Sequence, residues 1–441
     1  MKSLCSALTI PRRGEGGEEM HGVLPDIDEI IELFVEAIAP NGKGKGRCDA
    51  AGRQNLSFFI AGTAPGDRIT ARVTGARKRY VEADLVEIVE ASSHRVSPVC
   101  PHYELCGGCQ LMHLAYPAQL EAKREIVRYV LGRRGFARDL VRPMVASPRE
   151  LRYRRRAKLS LTEETAPGLV AWHSHRIVPI NSCHQMRQEL QDGLLSAAPL
   201  AGEMLPASAR ARYLFGVYDA QGERVLVQAA AADSTEATNW FVAREREVKA
   251  EPHPPGRLRV AGFDLQYSPE CFTQINAETN ELLVAHVIDA MSADAGDNVL
   301  ELFAGVGNFT LPLAAKAKTV TAVEWPQATH FAEINAEAAG LNNITHLGRN
   351  VSDALRQLMR AKTRFDLALL DPPREGLGEV GSTMLCELSP RRIVYVSCEP
   401  VTLANDLKVL QKHGYQLAAV TPFDMFPQTF HVETCAVLDK K

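Results

Sequence analysis

After Phe263 the chain alternates between short apolar runs and helical stretches, and this alternation restricts the fold more than any other feature of the sequence. Apolar runs of strand length, separated by helices, are typical of parallel strands that are covered on both faces. The pattern predicts a Rossmann-like α/β domain with a parallel sheet. The apolar runs occupy residues 298–302, 319–323, 365–370 and 392–396.

A glycine-rich turn follows the first of these runs, in Leu300-Glu-Leu-Phe-Ala-Gly-Val-Gly-Asn-Phe-Thr310. Glycine permits a tight turn and the close approach of a ligand to the backbone. A dinucleotide-binding turn would have a third glycine where this chain has Thr310. Glu324 ends the next strand, where an acid can bind ribose hydroxyls. Together with Asp371, which follows the apolar run at 365–370, these features favour S-adenosylmethionine over NAD as the cofactor.

Two later strands end in side chains that can take part in chemistry. Asp371 lies in Leu369-Leu-Asp-Pro-Pro-Arg374, and Cys398 lies in Val396-Ser-Cys-Glu-Pro400. Open α/β sheets bind ligands at the carboxyl ends of their strands. A lone cysteine is usually a buried structural residue, but this position favours a nucleophile. Near the C-terminus, Glu433 lies in an apolar strand beside His431 and is the candidate carboxylate base.

These side chains fit the methylation of uracil at C5. A thiolate that adds to C6 makes C5 enolate-like, so that C5 can attack a sulfonium methyl group. A carboxylate must then remove the C5 proton before the thiolate can leave. Amino-methylating enzymes have an aromatic residue where this chain has Arg374, which disfavours that alternative. Enzymes that methylate cytosine C5 in RNA generally have a second cysteine near the motif at Asp371, and its absence favours uracil.

Three cysteines lie close together in Pro98-Val-Cys-Pro-His-Tyr-Glu-Leu-Cys-Gly-Gly-Cys109, and a fourth is Cys183. Ten cysteines in 441 residues are too few for a disulfide framework, so their clustering indicates a metal or catalytic site in a reducing compartment. Structural zinc sites usually have two closely spaced cysteine pairs. Three local ligands and one remote ligand are more typical of an iron–sulfur centre, although the spacing alone leaves both metals open.

The N-terminal part of the chain predicts a small β-barrel, because short strand-like runs between Ile30 and Ser92 alternate with turn residues. Lys43 and Lys45 lie on a glycine-rich loop that would suit contact with an RNA backbone. A plain β-domain with a flexible loop is the alternative. Residues 1–25 are expected to form a disordered tail without the features of a signal peptide.

Basic residues are concentrated in one part of the chain. Residues 121–158 contain 13 Lys and Arg against 4 Asp and Glu, whereas the whole chain has a net charge of −3. The densest part, Arg152–Arg156, is expected to face RNA phosphates, and a solvated helix face is the alternative. No apolar run approaches the roughly 20 residues needed to span a bilayer, so no membrane partner is expected.

From about residue 30 to its end, the chain resembles the RNA uracil-C5 methyltransferase family. Six motifs occur in the family's order. They are Cys-x5-Cys-x2-Cys with the distal Cys183, Phe272-Thr-Gln-Ile-Asn276, Leu302-Phe-Ala-Gly-Val-Gly-Asn308, Asp371-Pro-Pro-Arg374, Ser397-Cys398 and Asp424-Met-Phe-Pro-x-Thr-x-His-Val-Glu433.

The resemblance implies a multidomain protein. A TRAM-type, OB-like barrel over residues 26–92 would precede a central α+β iron–sulfur domain over 93–262 and a class I methyltransferase domain over 263–441. Cys398 would be the nucleophile and Glu433 the base. Four cysteines would bind a [4Fe-4S] cluster, namely Cys100, Cys106, Cys109 and Cys183. Six residues would contact S-adenosylmethionine, namely Gln274, Phe303, Asn308, Glu324, Asn350 and Asp371, with Asn335 as an alternative to Asn350.

The family pattern also indicates the substrate. The barrel and the cluster favour an enzyme that methylates 23S rRNA, and the alternatives are a tRNA uracil methyltransferase and a non-catalytic iron–sulfur RNA-binding protein. The protein is expected to be cytoplasmic and monomeric. One residue departs from the pattern, since the family usually has Asn after the catalytic cysteine and this chain has Glu399. A neighbouring carboxylate would raise the pKa of the Cys398 thiol unless it points away or is paired.

Overall fold

The computed structural model describes residues 24–50, 52–205, 212–231, 239–244, 247–250 and 255–441. These residues form a closed barrel, two seven-stranded sheets and a two-stranded sheet. The predicted N-terminal tail lies outside the described residues except for positions 24 and 25.

The barrel at the N-terminus confirms the prediction of a small β-domain. Its strands close in the order β1-β2-β3-β5-β4 around buried side chains that include Val35, Phe58 and Val73. The glycine-rich segment that was expected to be a loop is partly a strand, because Gly44 begins β2. A Cβ at Gly44 would lie 1.9 Å from Oγ1 of Thr63. The strands are β1 (Ile30–Ile38), β2 (Gly44–Arg47), β3 (Ser57–Ile60), β4 (Arg68–Arg77) and β5 (Tyr80–Glu90).

The middle of the chain forms an antiparallel sheet in the order β12-β11-β10-β9-β6-β7-β8. Helix α2 packs on it through an apolar face that includes Leu190 and Leu194. The elements are α1 (Tyr116–Arg133), a 3-10 turn (Arg138–Leu140), β6 (Arg156–Leu161), β7 (Pro167–Val170), β8 (Ile177–Pro179), α2 (Gln188–Met204), β9 (Arg212–Asp219), β10 (Arg224–Ala231), β11 (Asn239–Arg244) and β12 (Glu247–Ala250). A hairpin of β13 (Gly256–Val260) and β14 (Phe263–Tyr267) follows.

The C-terminal part is an α/β sheet in the order β17-β16-β15-β18-β19-β21-β20. Buried apolar clusters cover both of its faces, as the continuous apolar runs predict. Its elements are α3 (Ala277–Met291), β15 (Asn298–Leu302), α4 (Thr310–Ala314), β16 (Thr319–Glu324), α5 (Pro326–Ala338), β17 (Ile344–Gly348), α6 (Val351–Arg360), β18 (Leu367–Leu370), α7 (Gly378–Leu388), β19 (Arg392–Ser397), α8 (Pro400–Lys412), β20 (Tyr415–Phe423) and β21 (Glu433–Lys440).

The four strands from which a parallel sheet was predicted are parallel to one another, but one side of the sheet is antiparallel. Strand β21 pairs antiparallel with both β19 and β20. It lies between them and runs in the opposite direction to the parallel strands, so it begins at the edge of the sheet where those strands end. Within the described part of the chain, none of the helices has the length and apolar character that a membrane span requires.

Candidate active site

One edge of the C-terminal sheet carries most of the predicted site residues. Phe303, Asp371 and Cys398 directly follow β15, β18 and β19, and Glu324 is the last residue of β16. Because β21 is antiparallel, its first residue, Glu433, lies at this same edge. Ser397 on β19 pairs with Thr434 on β21. Cys398, the predicted nucleophile, directly follows Ser397, and Glu433, the predicted base, directly precedes Thr434, so the two lie side by side.

Glu433 is placed as a group that can hold a proton. Its side chain is 2% exposed, and Oε1 has no hydrogen-bond partner among the described residues. Burial raises the pKa of Glu433 well above its ordinary value, and the charge of Asp371 raises it further. The cation of Arg374 acts in the opposite direction.

Cys398 is partly buried, and its thiol is surrounded by acids. Burial, followed by the charges of Glu433 and Asp371, raises the pKa of this thiol to about 12. Arg374 lowers it. Cys398 also lies two residues before α8, and the N-terminal end of a helix stabilises a nearby thiolate. A bound cation at this edge would favour the reactive thiolate by neutralising the acids.

Glu399, the departure from the family pattern, has a local structural role. It is the N-cap of α8, and its Oε1 accepts a hydrogen bond of 3.3 Å from the backbone N–H of Val401. Of the influences that raise the pKa of Cys398, the charge of Glu399 is the smallest.

Cys398 lines a small solvent-open depression. Its wall combines Pro40 of the barrel with Ile126 and Val130 of α1. His431 lies in the same wall, and the centroid of its ring is 4.3 Å from the centroid of the Phe430 ring. The pKa of His431 is lowered to about 4 by burial, with smaller contributions from nearby cations. The pocket therefore presents a neutral imidazole beside the thiol.

Glu324 is positioned to hold the glycine-rich turn. Its two carboxylate oxygens accept hydrogen bonds from the backbone N–H of Gly305 at 2.8 Å and of Trp325 at 2.7 Å. Phe303, at the start of the turn, has a φ of 63°, a left-handed conformation that is rare for a bulky side chain. Strained backbone of this kind is frequent in ligand-binding loops.

The remaining predicted cofactor residues lie around the same turn or at the same edge. The side-chain amide of Asn308 exchanges two hydrogen bonds with that of Asn280, at 2.8 and 3.2 Å. Gln274 is 9% exposed and precedes α3. Asn350 caps α6, beyond the carboxyl end of β17, and accepts from the N–H of Asp353.

Asn335, the alternative to Asn350, is 1% exposed, and its side-chain amide is fully occupied by backbone groups. It accepts from the N–H of Gln266 and donates to the carbonyls of Gln266 and Val306. These bonds hold the hairpin strand β14 against the glycine-rich turn, so Asn335 positions the turn while Asn350 is the residue presented at the edge.

The structure adds an acid that the sequence analysis did not single out. Glu301 is 1% exposed, and within the described residues its carboxylate oxygens have no partner with good hydrogen-bond geometry. Burial raises its pKa to about 8, the neighbouring hydroxyl of Thr310 acts in the opposite direction, and the charges of Asp371 and Glu324 make smaller contributions that raise it. Burial and the charge of Glu324 also raise the pKa of Asp371 to about 7. An acid inside the apolar strand Asn298–Leu302 was the available signal.

This concentration of desolvated carboxyl groups fits a cationic ligand. S-adenosylmethionine has a sulfonium and an ammonium group, both of which would relieve the repulsion between the acids. The glycine-rich turn and Glu324 fit its nucleoside portion. The sheet and this edge thus define an S-adenosylmethionine-dependent methyltransferase of the Rossmann-like class.

The four predicted cluster cysteines line a single solvent-open pocket. Burial raises the pKa of Cys100 and Cys106, and that of Cys109 to about 12. In the described ranges, no group of three or more His, Cys, Asp or Glu side chains is arranged to hold one metal ion. An iron–sulfur cluster offers a separate iron to each thiolate, so four thiols around a pocket fit it better than they fit a single ion.

The prediction that Arg152–Arg156 face RNA phosphates is wrong for Arg155, which is buried, while Arg152 and Arg156 are half-buried and use part of their donors within the protein. Arg152 donates to the carbonyls of Cys183 and Met186, and Arg155 is 8% exposed and donates to the hydroxyl of Tyr267. Arg156 donates to the carbonyl of Cys271. The segment connects the cysteine region to the cofactor domain. Lys43 is also occupied, because it forms an ion pair with Glu82.

Comparisons with known proteins agree with this assignment. Residues 253–441 match the family model of tRNA (Uracil-5-)-methyltransferase, and residues 28–86 match the TRAM domain. The 23S rRNA (uracil(1939)-C(5))-methyltransferase RlmD of Aliivibrio fischeri is 32% identical over 402 residues, which cover 87% of this chain and 91% of that protein. The protein of the same name from Pseudomonas entomophila is 34% identical over 429 residues, covering 92% and 93%.

A solved structure extends the similarity to three dimensions. The tRNA (uracil-54, C5)-methyltransferase of Pyrococcus abyssi, in complex with S-adenosyl-L-homocysteine, superposes with a TM-score of 0.68 at 25% identity, and the match covers 92% of this chain and all of that one. The chain belongs to the RNA (uracil-C5)-methyltransferase family. Its barrel is a TRAM domain, and its cofactor is S-adenosylmethionine.

Proposed function

We propose that this protein methylates C5 of a uridine in 23S rRNA by covalent catalysis, with Cys398 as nucleophile and Glu433 as base. The observation that carries the proposal is the adjacency of the two residues at the cofactor edge, where β21 runs antiparallel to β19. The relatives named for 23S rRNA methylation align over most of the chain, which supports rRNA over tRNA as the substrate.

The proposed reaction balances without an external reagent. The thiolate of Cys398 forms a bond to C6, and the electron pair of the C5=C6 bond moves towards C5 and O4. C5 then forms a bond to the methyl group of S-adenosylmethionine, whose sulfur keeps the electron pair of the broken S–CH3 bond. Glu433 removes the C5 proton, C5=C6 re-forms and the thiolate leaves, with one proton finally released to solvent.

The raised pKa of Glu433 suits this role. A base must be ionised when it takes the proton and must hold the proton afterwards, so an ordinary glutamate would be a weak acceptor from carbon. Because burial and Asp371 raise the pKa of Glu433, its carboxylate, once ionised, is a stronger base than one in water. The positive charge of bound S-adenosylmethionine would favour that ionised form. The neutral ring of His431 adds no competing positive charge to the pocket.

Two substitutions test the mechanism. Cys398→Ala should abolish methylation while binding of S-adenosylhomocysteine persists, because the cofactor residues are unchanged. Glu433→Gln should form the covalent adduct and release it slowly, so that a protein–RNA band appears on a denaturing gel. Full turnover by Cys398→Ala would contradict covalent catalysis, and a Glu433→Gln enzyme without adduct would point to another base.

The substrate assignment has its own test. Mass mapping of 5-methyluridine in rRNA and tRNA from a strain that lacks the protein should show a loss confined to 23S rRNA. A loss confined to tRNA would instead support the alternative suggested by the solved relative.

We also propose that Cys100, Cys106, Cys109 and Cys183 hold a [4Fe-4S] cluster. Their convergence on one pocket supports this, and the proposed methyl transfer needs no electron, so the cluster would organise the fold. Anaerobically purified protein should be brown with broad visible absorbance, and Cys109→Ser should weaken that absorbance. A colourless protein with stoichiometric zinc would contradict the proposal.

A further inference from the structure

The segment that leads into Glu433 has little regular structure of its own. Residues 424–432 join β20 to β21 and contain neither a helix nor a strand. Its internal bonds include a turn in which the N–H and hydroxyl of Thr429 donate to the carbonyl of Phe426. Contacts from the rest of the protein must therefore contribute to the position of this segment, and with it that of His431 and the start of β21.

Those contacts come from the end of the cysteine loop, from α1 and from the segment before β6. Three consecutive carbonyl groups of residues 424–432 accept hydrogen bonds from these parts of the chain. Phe426 accepts from Nζ of Lys123 at 2.9 Å, Pro427 accepts from the hydroxyl of Tyr153 at 3.1 Å, and Gln428 accepts from the N–H groups of Gln110 and Leu111, both at 3.0 Å.

Gln428 is the most constrained residue of the segment. It is 5% exposed and has a φ of 69°, a left-handed conformation that a residue with a Cβ keeps only when its surroundings hold it. Gln119 of α1 supplies that support. Nε2 of Gln119 donates to Oε1 of Gln428 at 2.9 Å, and the N–H of Gln428 donates to Oε1 of Gln119 at 3.0 Å.

The residue that binds the Gln428 carbonyl is also part of the cysteine loop. Gln110 directly follows Cys109, and its carbonyl accepts from the hydroxyl of Tyr103 at 2.9 Å. Its side-chain amide donates to the carbonyl of Gly107 at 2.6 Å. The conformation of the loop between Cys100 and Cys109 is thus connected by consecutive hydrogen bonds to Gln428, five residues before Glu433.

We infer that Gln119 and Gln428 are positioning residues that hold the segment leading to the base, so that C5 proton removal depends on their amide pair while cofactor binding does not. The inference rests on the proposed function, since it assumes that Glu433 removes the proton. The cofactor residues described above lie on other loops and make none of these bonds, which is why the two steps should separate.

The experiment replaces Gln119 by methionine, which keeps the length of the side chain and leaves the N–H of Gln428 without its acceptor. We expect kcat to fall by about tenfold or more, with unchanged affinity for S-adenosylhomocysteine. The covalent RNA adduct should accumulate, as in Glu433→Gln, and hydrogen exchange in residues 424–432 should become faster. Gln188→Met is the matched control, because Gln188 is in the first turn of α2 and its amide bonds only Asp192 at the surface.

The outcomes are distinguishable. Unchanged kcat, or a parallel loss of kcat and S-adenosylhomocysteine affinity, would overturn the coupling. If Glu433→Gln forms the adduct and Gln119→Met does not, this inference fails while the proposed function stands. If neither variant forms it and Cys398→Ala retains turnover, the proposed function fails. Gln428→Asn, which tolerates the left-handed conformation but shortens the amide, repeats the test should Gln119→Met not fold.

Discussion

At the scale of single residues, Glu399 offers a direct test of how acids control the nucleophile. The thiol must lose a proton to react, so the rate should rise with pH while the pKa of Cys398 lies above the assay range. Glu399→Asn removes one of the charges that raise this pKa and keeps a side chain that caps helices well. We expect its pH–rate profile to shift to lower pH, with a severalfold faster single turnover at pH 7.

The control for this substitution is Glu387→Gln, which removes an exposed charge near the far end of α7. Its profile should coincide with that of the unsubstituted enzyme. A Glu399→Asn profile that also coincides would show that the helix-capping hydrogen bond fully neutralises the influence of Glu399 on the thiol.

Glu301 gives a prediction about stability at the same scale. Its pKa of about 8 in the folded protein exceeds the value of about 4.3 in an unfolded chain. Between these values the folded state binds more protons, so the free energy of unfolding must fall as pH rises. We expect the ligand-free protein to lose thermal stability from pH 5 to pH 8, and Glu301→Gln to lose less. Calorimetry measures these losses, with Glu387→Gln as the control. If Glu301→Gln and the unsubstituted protein lost the same stability between pH 5 and pH 8, the placement of this acid would be contradicted.

At the scale of elements, the sequence predicted the strands with continuous apolar runs and missed those whose sequence is mixed. Asn298–Leu302 and Arg392–Ser397 are buried on both faces, so burial is visible in their composition. Strand β2 has two glycines and two basic residues. It forms by pairing with β1 and β3, and Thr63 leaves room only for glycine at position 44, neither of which a local pattern contains. The direction of β21 was equally hidden, because it depends on insertion between β19 and β20 and not on its own residues.

The site shows the same division between local and distant information. Residues that end parallel strands, such as Asp371 and Cys398, could be placed at one edge from sequence alone. The burial of Arg155 could not be predicted in this way, since its partner Tyr267 is 112 residues away in the sequence. The sequence gives the charge of Arg152–Arg156 but not its exposure, because the same run of arginines can face RNA or the interior of a protein.

At the scale of the whole molecule, the TRAM barrel forms part of the active-site wall. Gly42, in the loop between β1 and β2, has a φ of 79°, and a Cβ there would lie 2.4 Å from Cδ1 of Phe430, whose ring lines the pocket of Cys398. Gly42→Ala should therefore push the barrel away from the pocket or displace Phe430. We expect kcat/KM for RNA to fall by about tenfold, the cost of roughly 1.4 kcal/mol in the transition state, while binding of S-adenosylhomocysteine is unchanged.

Gly62→Ala separates this steric effect from backbone strain. Gly62 has a similar φ of 71°, but no heavy atom lies within 4 Å of its added Cβ. Both substitutions force alanine into the left-handed region, so both should lower thermal stability by a comparable amount, about 1 kcal/mol. Only Gly42→Ala brings a methyl group against the pocket wall. Equal losses of kcat/KM in the two variants would mean that the barrel contributes by binding RNA through its own surface. They would contradict a role of the barrel in shaping the pocket in which Cys398 reaches the uracil.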